Sequence, residues 1–152
     1  MIKIKIFDSE NKPDHLEKTE IINFLFEHLQ GFGDPKKDIQ KAIEYSVKEF
    51  ISFGGFTMLI MKDNVIVGAT IINMTGMGGY IPENILVYIA THKDYRGIGL
   101  GKRLMQEAIN YSTGDIALHV EANNPAKYLY KKLGFTNPYL EMRLKKIIWP
   151  NY

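Results

Sequence analysis

Residues 95–104, YRGIGLGKRL, set Gly97, Gly99 and Gly101 at alternate positions and then change abruptly into a charged, leucine-bearing run. Glycine gives up more backbone entropy on folding than any other residue, so such a cluster is costly unless the main chain must do something that a Cβ forbids. A strand that ends in a glycine-rich turn and opens into a helix suits anion binding. The unpaired N–H groups of the first helical turn and the positive end of the helix dipole converge on one point. Arg96 and Lys102 flank the turn and Arg103 follows, supplying charge for a ligand with two adjacent phosphates. The spacing argues against a Walker A loop, because Gly101-Lys102 is followed by Arg103 and leaves no hydroxyl for magnesium. It also argues against a dinucleotide fingerprint, which needs GxGxxG at the first strand-to-helix turn, where this chain has GxGxG on its fourth strand.

A second segment, VEANNPAKYLYKKLGF at 120–135, follows the first by some twenty residues. Arg96, Gly99 and Gly101 fit the pattern Arg/Gln-x-x-Gly-x-Gly/Ala; Asn123, Ala126, Leu129, Tyr130, Gly134 and Phe135 fit Asn-x-x-Ala-x-x-Leu-Tyr with a Gly-Phe shortly after. The pair resembles the two signature regions of the GNAT N-acetyltransferases, closely over about residues 83–136. The resemblance implies acetyl-CoA as co-substrate, its pyrophosphate held by main-chain N–H groups across Arg96, Gly97, Ile98, Gly99, Leu100, Gly101 and Lys102. It implies a gap between the fourth and fifth strands, near Ile89, Ala90 and Thr91 on one side and Leu118 to Val120 on the other, that takes the pantetheine arm. It also implies a ligand-facing Asn123, a backbone N–H near Ile89 for the oxyanion, and Tyr130 as the acid that protonates the departing sulfur.

Acetyl transfer to an amine needs a neutral amine, oxyanion stabilisation and a proton for the leaving group. A phenol with a pKa of about 10 keeps its proton at neutral pH, which suits Tyr130 to that role. A base is harder to place: Glu83 at the mouth of the fourth strand is the leading candidate, with Glu121 and His92 as others. Acceptor recognition is expected from QGFGD and NMTGMGGYIPEN, with Phe32, Met77 and Tyr80 as an apolar wall. The expected activity is N-acetylation of a primary amine on a small molecule or peptide; the alternative is a non-catalytic acetyl-CoA-binding regulatory module.

The elements that must position these residues show in the hydrophobic periodicity. IKIKIF alternates as a half-exposed strand. Residues 15–30 carry Ile22, Leu25, Phe26 and Leu29 at helical spacing, and a second helix is predicted over about 35–51 with Ile39, Ile43, Val47 and Phe50 as its stripe. FTMLIMKDNVIVGATIINM reads as a hairpin turning at Lys62-Asp63-Asn64, and ILVYIA, apolar throughout, as a central strand covered on both faces. A helix with Leu100, Leu104, Ala108 and Tyr111 on one face, the strand DIALHV, a short helix capped by Asn124 with Pro125 at its first position, and strands in FTNPY and LEMRLKKI complete the chain. The order βααβββαβαββ gives a mixed α/β fold: a mostly antiparallel, twisted sheet of about seven strands with helices on both faces. This agrees with the acyltransferase fold of the GNAT family.

At 152 residues, 45% hydrophobic and 24% charged, the chain has the size and composition of one folded domain, read here as 1–152. It has no cysteine, so no disulfide framework and no thiolate metal site, and His15, His28, His92 and His119 are too scattered to predict a metal. The N-terminus lacks a signal-peptide core and no apolar run is long enough to span a bilayer, so a cytoplasmic protein without membrane contact is expected. A formal charge of +2 with no block of like charge gives no reason to expect nucleic acid. An edge strand such as LEMRLKKI makes a homodimer conceivable.

Overall fold

The computed structural model describes residues 1–147. Its sheet has five strands in the order β1-β2-β3-β4-β5: β1 (Ile2–Phe7), β2 (Gly55–Lys62), β3 (Val65–Met74), β4 (Asn84–Thr91) and β5 (Ile116–Leu118). All neighbours are antiparallel except β4 and β5, which run parallel through the crossover helix α3 (Leu100–Tyr111). Helices α1 (His15–His28) and α2 (Lys36–Ser46) precede β2, and α4 (Ala126–Lys132) follows β5.

The two faces of the sheet bury separate cores. On one, α1 and α2 place Ile21, Leu25, Ile39 and Ile43 over Leu59, Ala69, Ile71, Tyr88 and Ala90. On the other, Leu100, Leu104, Met105 and Ala108 of α3 cover Met58, Ile60, Val67, Ile72 and Leu86, with Tyr130 of α4 in the same cluster. The α1 stripe is one step away from the expected one: Phe24 and His28 are buried and Phe26 is exposed. The helix starts with a capping box, in which the Asp14 carboxylate accepts Glu17 N–H at 2.7 Å and Glu17 accepts Asp14 N–H at 3.0 Å. The β2–β3 turn sits at Asp63 and Asn64, both with positive φ, as a two-residue hairpin with right-handed strand twist requires.

Two expectations are corrected. Helix α2 stops at Ser46, short of residue 51: Val47 leaves helical geometry and Lys48 takes φ 57°, so Val47 stays buried while Phe50 turns outward. The strands expected in FTNPY and LEMRLKKI are absent among the described residues, leaving five strands where about seven were expected. Leu140, Met142 and Leu144 do alternate with charge, but they are 87%, 91% and 86% exposed. Alternation makes a segment competent to be a strand, and a ladder partner is still needed to make it one. Among the described residues no helix is long and apolar enough to cross a membrane.

Candidate active site

Strand β4 carries a bulge at its middle. Ile72 pairs with Leu86 and Ile71 with Tyr88, so Val87 is the extra residue, and Val87 and Tyr88 both pack towards α1 and α2. The Thr70 hydroxyl closes the irregularity by donating to the Tyr88 carbonyl at 2.8 Å. Pairing with β5 ends at the same level: Leu86 against Leu118 is the last register pair, and β4 runs on to Thr91 with no strand on that side among the described residues. β5 itself ends at Leu118, so the bulged half of β4 has no ladder partner on that side among the described residues. Pairing with β5 therefore stops short of Ile89, Ala90 and Thr91.

Beyond Thr91 the chain makes a short 3-10 turn at Lys93–Tyr95, capped by His92 Nδ1 accepting Asp94 N–H at 3.1 Å, and then enters the glycine segment. Gly97 and Gly99 have φ 81° and 85°, conformations in which a Cβ is strained, and open space surrounds the position a Cβ would take. Gly99 is the N-cap of α3 and offers no side-chain acceptor. The first helical bond is Arg103 N–H to the Gly99 carbonyl, so the N–H groups of Gly99, Leu100, Gly101 and Lys102 have no acceptor among the described residues. Gly101 differs in kind. Its φ is ordinary, and a Cβ there would meet Leu129 at 3.5 Å and Thr91 at 3.7 Å, both ordinary contact distances, so neither the backbone nor the packing demands a glycine.

Arg96 has an occupation that the sequence did not reveal. Its Nη2 donates to the His28 carbonyl at 2.9 Å and to the Thr91 carbonyl at 3.4 Å, tying the turn to the end of α1. The guanidinium is therefore partly committed; Lys102 and Arg103 are both exposed, Arg103 with Glu107 3.9 Å from its Nε.

Tyr130 lies under the same structure, 7% exposed, its ring 5.9 Å from that of Phe135. Its hydroxyl makes no hydrogen bond among the described residues and is not sealed from solvent. Burial raises its pKa, which keeps the phenol protonated. Asn123 is exposed in the turn before α4, while its neighbour Asn124 accepts Ala126 N–H at 2.9 Å; α4 begins at Ala126, one residue later than expected.

The remaining candidates lie elsewhere. Glu83 precedes β4, so the strand separates it from the glycine turn by roughly 23 Å at about 3.3 Å per residue. Its carboxylate accepts Asp115 N–H at 2.8 Å, and this bond, with others from Glu83's and Gly79's own N–H groups, lowers its pKa. A carboxylate held that way is a weaker base and a good latch between the β3–β4 loop and the turn into β5. Met77 and Tyr80 lie in the loop before β4, on the Glu83 side, and Phe32 in the short 3-10 turn Gln30–Phe32 after α1, 38% exposed. On the α1/α2 face, the Tyr88 hydroxyl donates to Asp34 at 2.5 Å, fixing the α1–α2 loop over the bulge. Burial, then the Asp34 carboxylate, raises the Tyr88 pKa.

The acetyltransferase (GNAT) domain matches residues 54–137, a span that holds β2 to α4, the glycine turn and Tyr130. The chain belongs to the GNAT family. This GNAT domain is 27% identical over 130 residues to the mouse (Mus musculus) protein "Cysteine-rich protein 2-binding protein", which covers 82% of the chain but only 14% of that protein's length. Its fold is that of the ribosomal-protein-alanine N-acetyltransferase from Brucella melitensis biovar Abortus 2308, with TM-score 0.63, 15% identity and coverage of 96% and 99% of the two chains. It is equally similar to an aminoglycoside N-acetyltransferase solved in complex with CoA, with TM-score 0.66, 16% identity and coverage of 96% and 95%.

Proposed function

We propose that this GNAT domain is an acetyl-CoA-dependent N-acetyltransferase acting on a primary amine of a small molecule or peptide. The observation that carries the reading is the row of unpartnered N–H groups from Gly99 to Lys102, set at the end of β4 where its pairing with β5 has already stopped. Those donors, the α3 dipole, and the open space left by Gly97 and Gly99 fit a diphosphate against the main chain. Gly97, Ile98 and Gly99 line the approach, Lys102 and Arg103 add charge, and Asn123 stands at the α4 side. On its open side β4 offers main-chain groups of Ile89 and Thr91, which alternate with Ala90 bonded to β3, to an extended arm lying there.

Acetyl-CoA supplies the acyl group as a thioester. The chain's part is to hold that donor, to exclude water with the apolar residues around Leu86 and Leu118, and to place a proton. Tyr130 Oη holds that proton, its raised pKa keeping it in place until sulfur departs; as the amide C–N bond replaces the thioester C–S bond, the proton lost by the amine nitrogen passes to solvent and solvent reprotonates the phenolate. A backbone N–H near Ile89 faces the developing negative charge, a role for which a fixed dipole needs no reorganisation. Glu83, bound to Asp115 N–H, is left to its latching role.

The test is a panel of primary amines with acetyl-CoA, monitored by free thiol. The expected result is thiol release that depends on both reactants and is confined to a subset of amines. Tight coenzyme binding with no thiol release from any amine overturns the catalytic reading and leaves a binding module.

A further inference from the structure

The foot of the glycine turn rests on α1 through one residue. His28 is 5% exposed and makes two bonds to the segment that leads into Gly97. Its Nδ1 accepts Lys93 N–H at 3.2 Å, and its carbonyl accepts Arg96 Nη2 at 2.9 Å. The ring is held between Phe24, 4.6 Å away between centroids, and His92, 4.2 Å away, and His92 in turn meets Tyr95 edge-on at 5.2 Å. An Nδ1 that accepts a hydrogen bond carries no proton. The last turn of a helix ordinarily favours a cationic histidine, so the contact with Lys93 works against the local dipole.

We propose that His28 is a positioning residue for the coenzyme turn: unprotonated at Nδ1, it pins Lys93 to Arg96 on α1 and fixes where the N–H groups of Gly99 to Lys102 point, and a proton gained there releases the turn and weakens coenzyme binding. The inference rests on the reading of that turn as the acetyl-CoA site. The groups facing His28 are His92, Lys93 and Arg96 from the segment after β4 and Glu27 from α1, whose Oε2 is 3.7 Å from Nε2; Asp94 lies behind His92 at 3.9 Å. Burial lowers the His28 pKa most, His92, Arg96 and Lys93 lower it further, and Glu27 opposes them. The pinned state therefore takes the proton less readily than the released chain, whose histidine titrates near about 6.5. The tether is whole above that value and is lost as pH falls below it, through the lowered value of the pinned state.

The experiment measures acetyl-CoA affinity by calorimetry between about pH 5.5 and 7.5 for the wild type, His28→Asn and His28→Phe. Asparagine puts a non-titrating acceptor in place of Nδ1, and phenylalanine keeps the ring stack without any acceptor. Relative to His28→Asn, the wild type should lose about tenfold in affinity over that range, a difference that cancels the titration of the coenzyme phosphates. His28→Phe should bind about tenfold more weakly at neutral pH, having left Lys93 N–H unpaired. Parallel pH profiles for wild type and His28→Asn, or undiminished binding by His28→Phe, overturn the proposal. If His28→Phe does not fold, the wild-type and His28→Asn profiles decide. Hydrogen exchange at the Lys93 amide in the free protein is read alongside: protection should fall at acid pH in the wild type and hold in His28→Asn, and equal protection in both overturns the tether. A wild type that binds no acetyl-CoA at any pH defeats the functional reading instead, and Lys93 exchange still judges His28.

Discussion

Single atoms decide the behaviour of the site, and Tyr130 is the sharpest case. Its burial raises the phenol above its ordinary 10.0, so the hydroxyl keeps its proton across the neutral range and its own titration appears only on the far alkaline side of a rate profile. Tyr130→Phe should lower turnover by roughly 10²-fold under conditions where chemistry is slow, measured by thiol release; a loss below about threefold removes Tyr130 from the acid role. The glycines separate into two kinds. Gly99→Val forces a branched side chain to φ 85° at a strain of about 1–2 kcal/mol and fills the space before the free N–H groups, so coenzyme affinity should fall by more than the thermal midpoint suggests. Gly101→Ala meets Leu129 at ordinary contact distance within a helix, and its melting temperature should hold or rise. Glu83→Ala should lower the melting temperature at neutral pH and flatten its acid dependence. The Glu83 pKa is lowered in the folded chain, so its contribution is whole above the unfolded value of 4.5 and disappears as pH falls through the folded one. A melting curve that keeps its acid slope in the variant would disprove the latch.

At the scale of elements, what the sequence revealed depended on whether one segment carried its own cause. The turn at Gly97 and Gly99 was legible because left-handed φ values select glycine locally, and the β2–β3 hairpin because Asp63 and Asn64 tolerate the same region. The α1 capping box was equally local, an Asp-x-x-Glu at Asp14 and Glu17, and its pattern was available to be found. Asp14→Ala should cost about 1 kcal/mol in denaturant unfolding, with no change in the slope of the transition. Where two distant segments decide together, periodicity misled. The α2 stripe continues through Val47 to Phe50, but Lys48 turns the chain and frees Phe50. Leu140, Met142 and Leu144 have the alternation of a strand and no ladder. The bonds of Arg96 to the carbonyls of His28 and Thr91 have no sequence signal, and the stacking of His28 on His92 is tertiary in origin.

For the whole molecule, the two cores share one sheet: neighbours Ile71 and Ile72 on β3 belong to opposite faces, so neither layer can be lost alone. Calorimetry should therefore show a single transition with equal van't Hoff and calorimetric enthalpies, and two resolved transitions would contradict the reading of residues 1–152 as one domain. The parallel pair has a consequence for how such a protein comes into being. Strands β2, β3 and β4 can zip as a meander while the chain is still short, whereas β5 must wait for the whole α3 crossover before it reaches β4. The line between β4 and β5 is thus the seam between the early-formed and the late-arriving parts of the fold, and a chain interrupted before α3 holds most of a sheet and none of the open N–H groups of the α3 start.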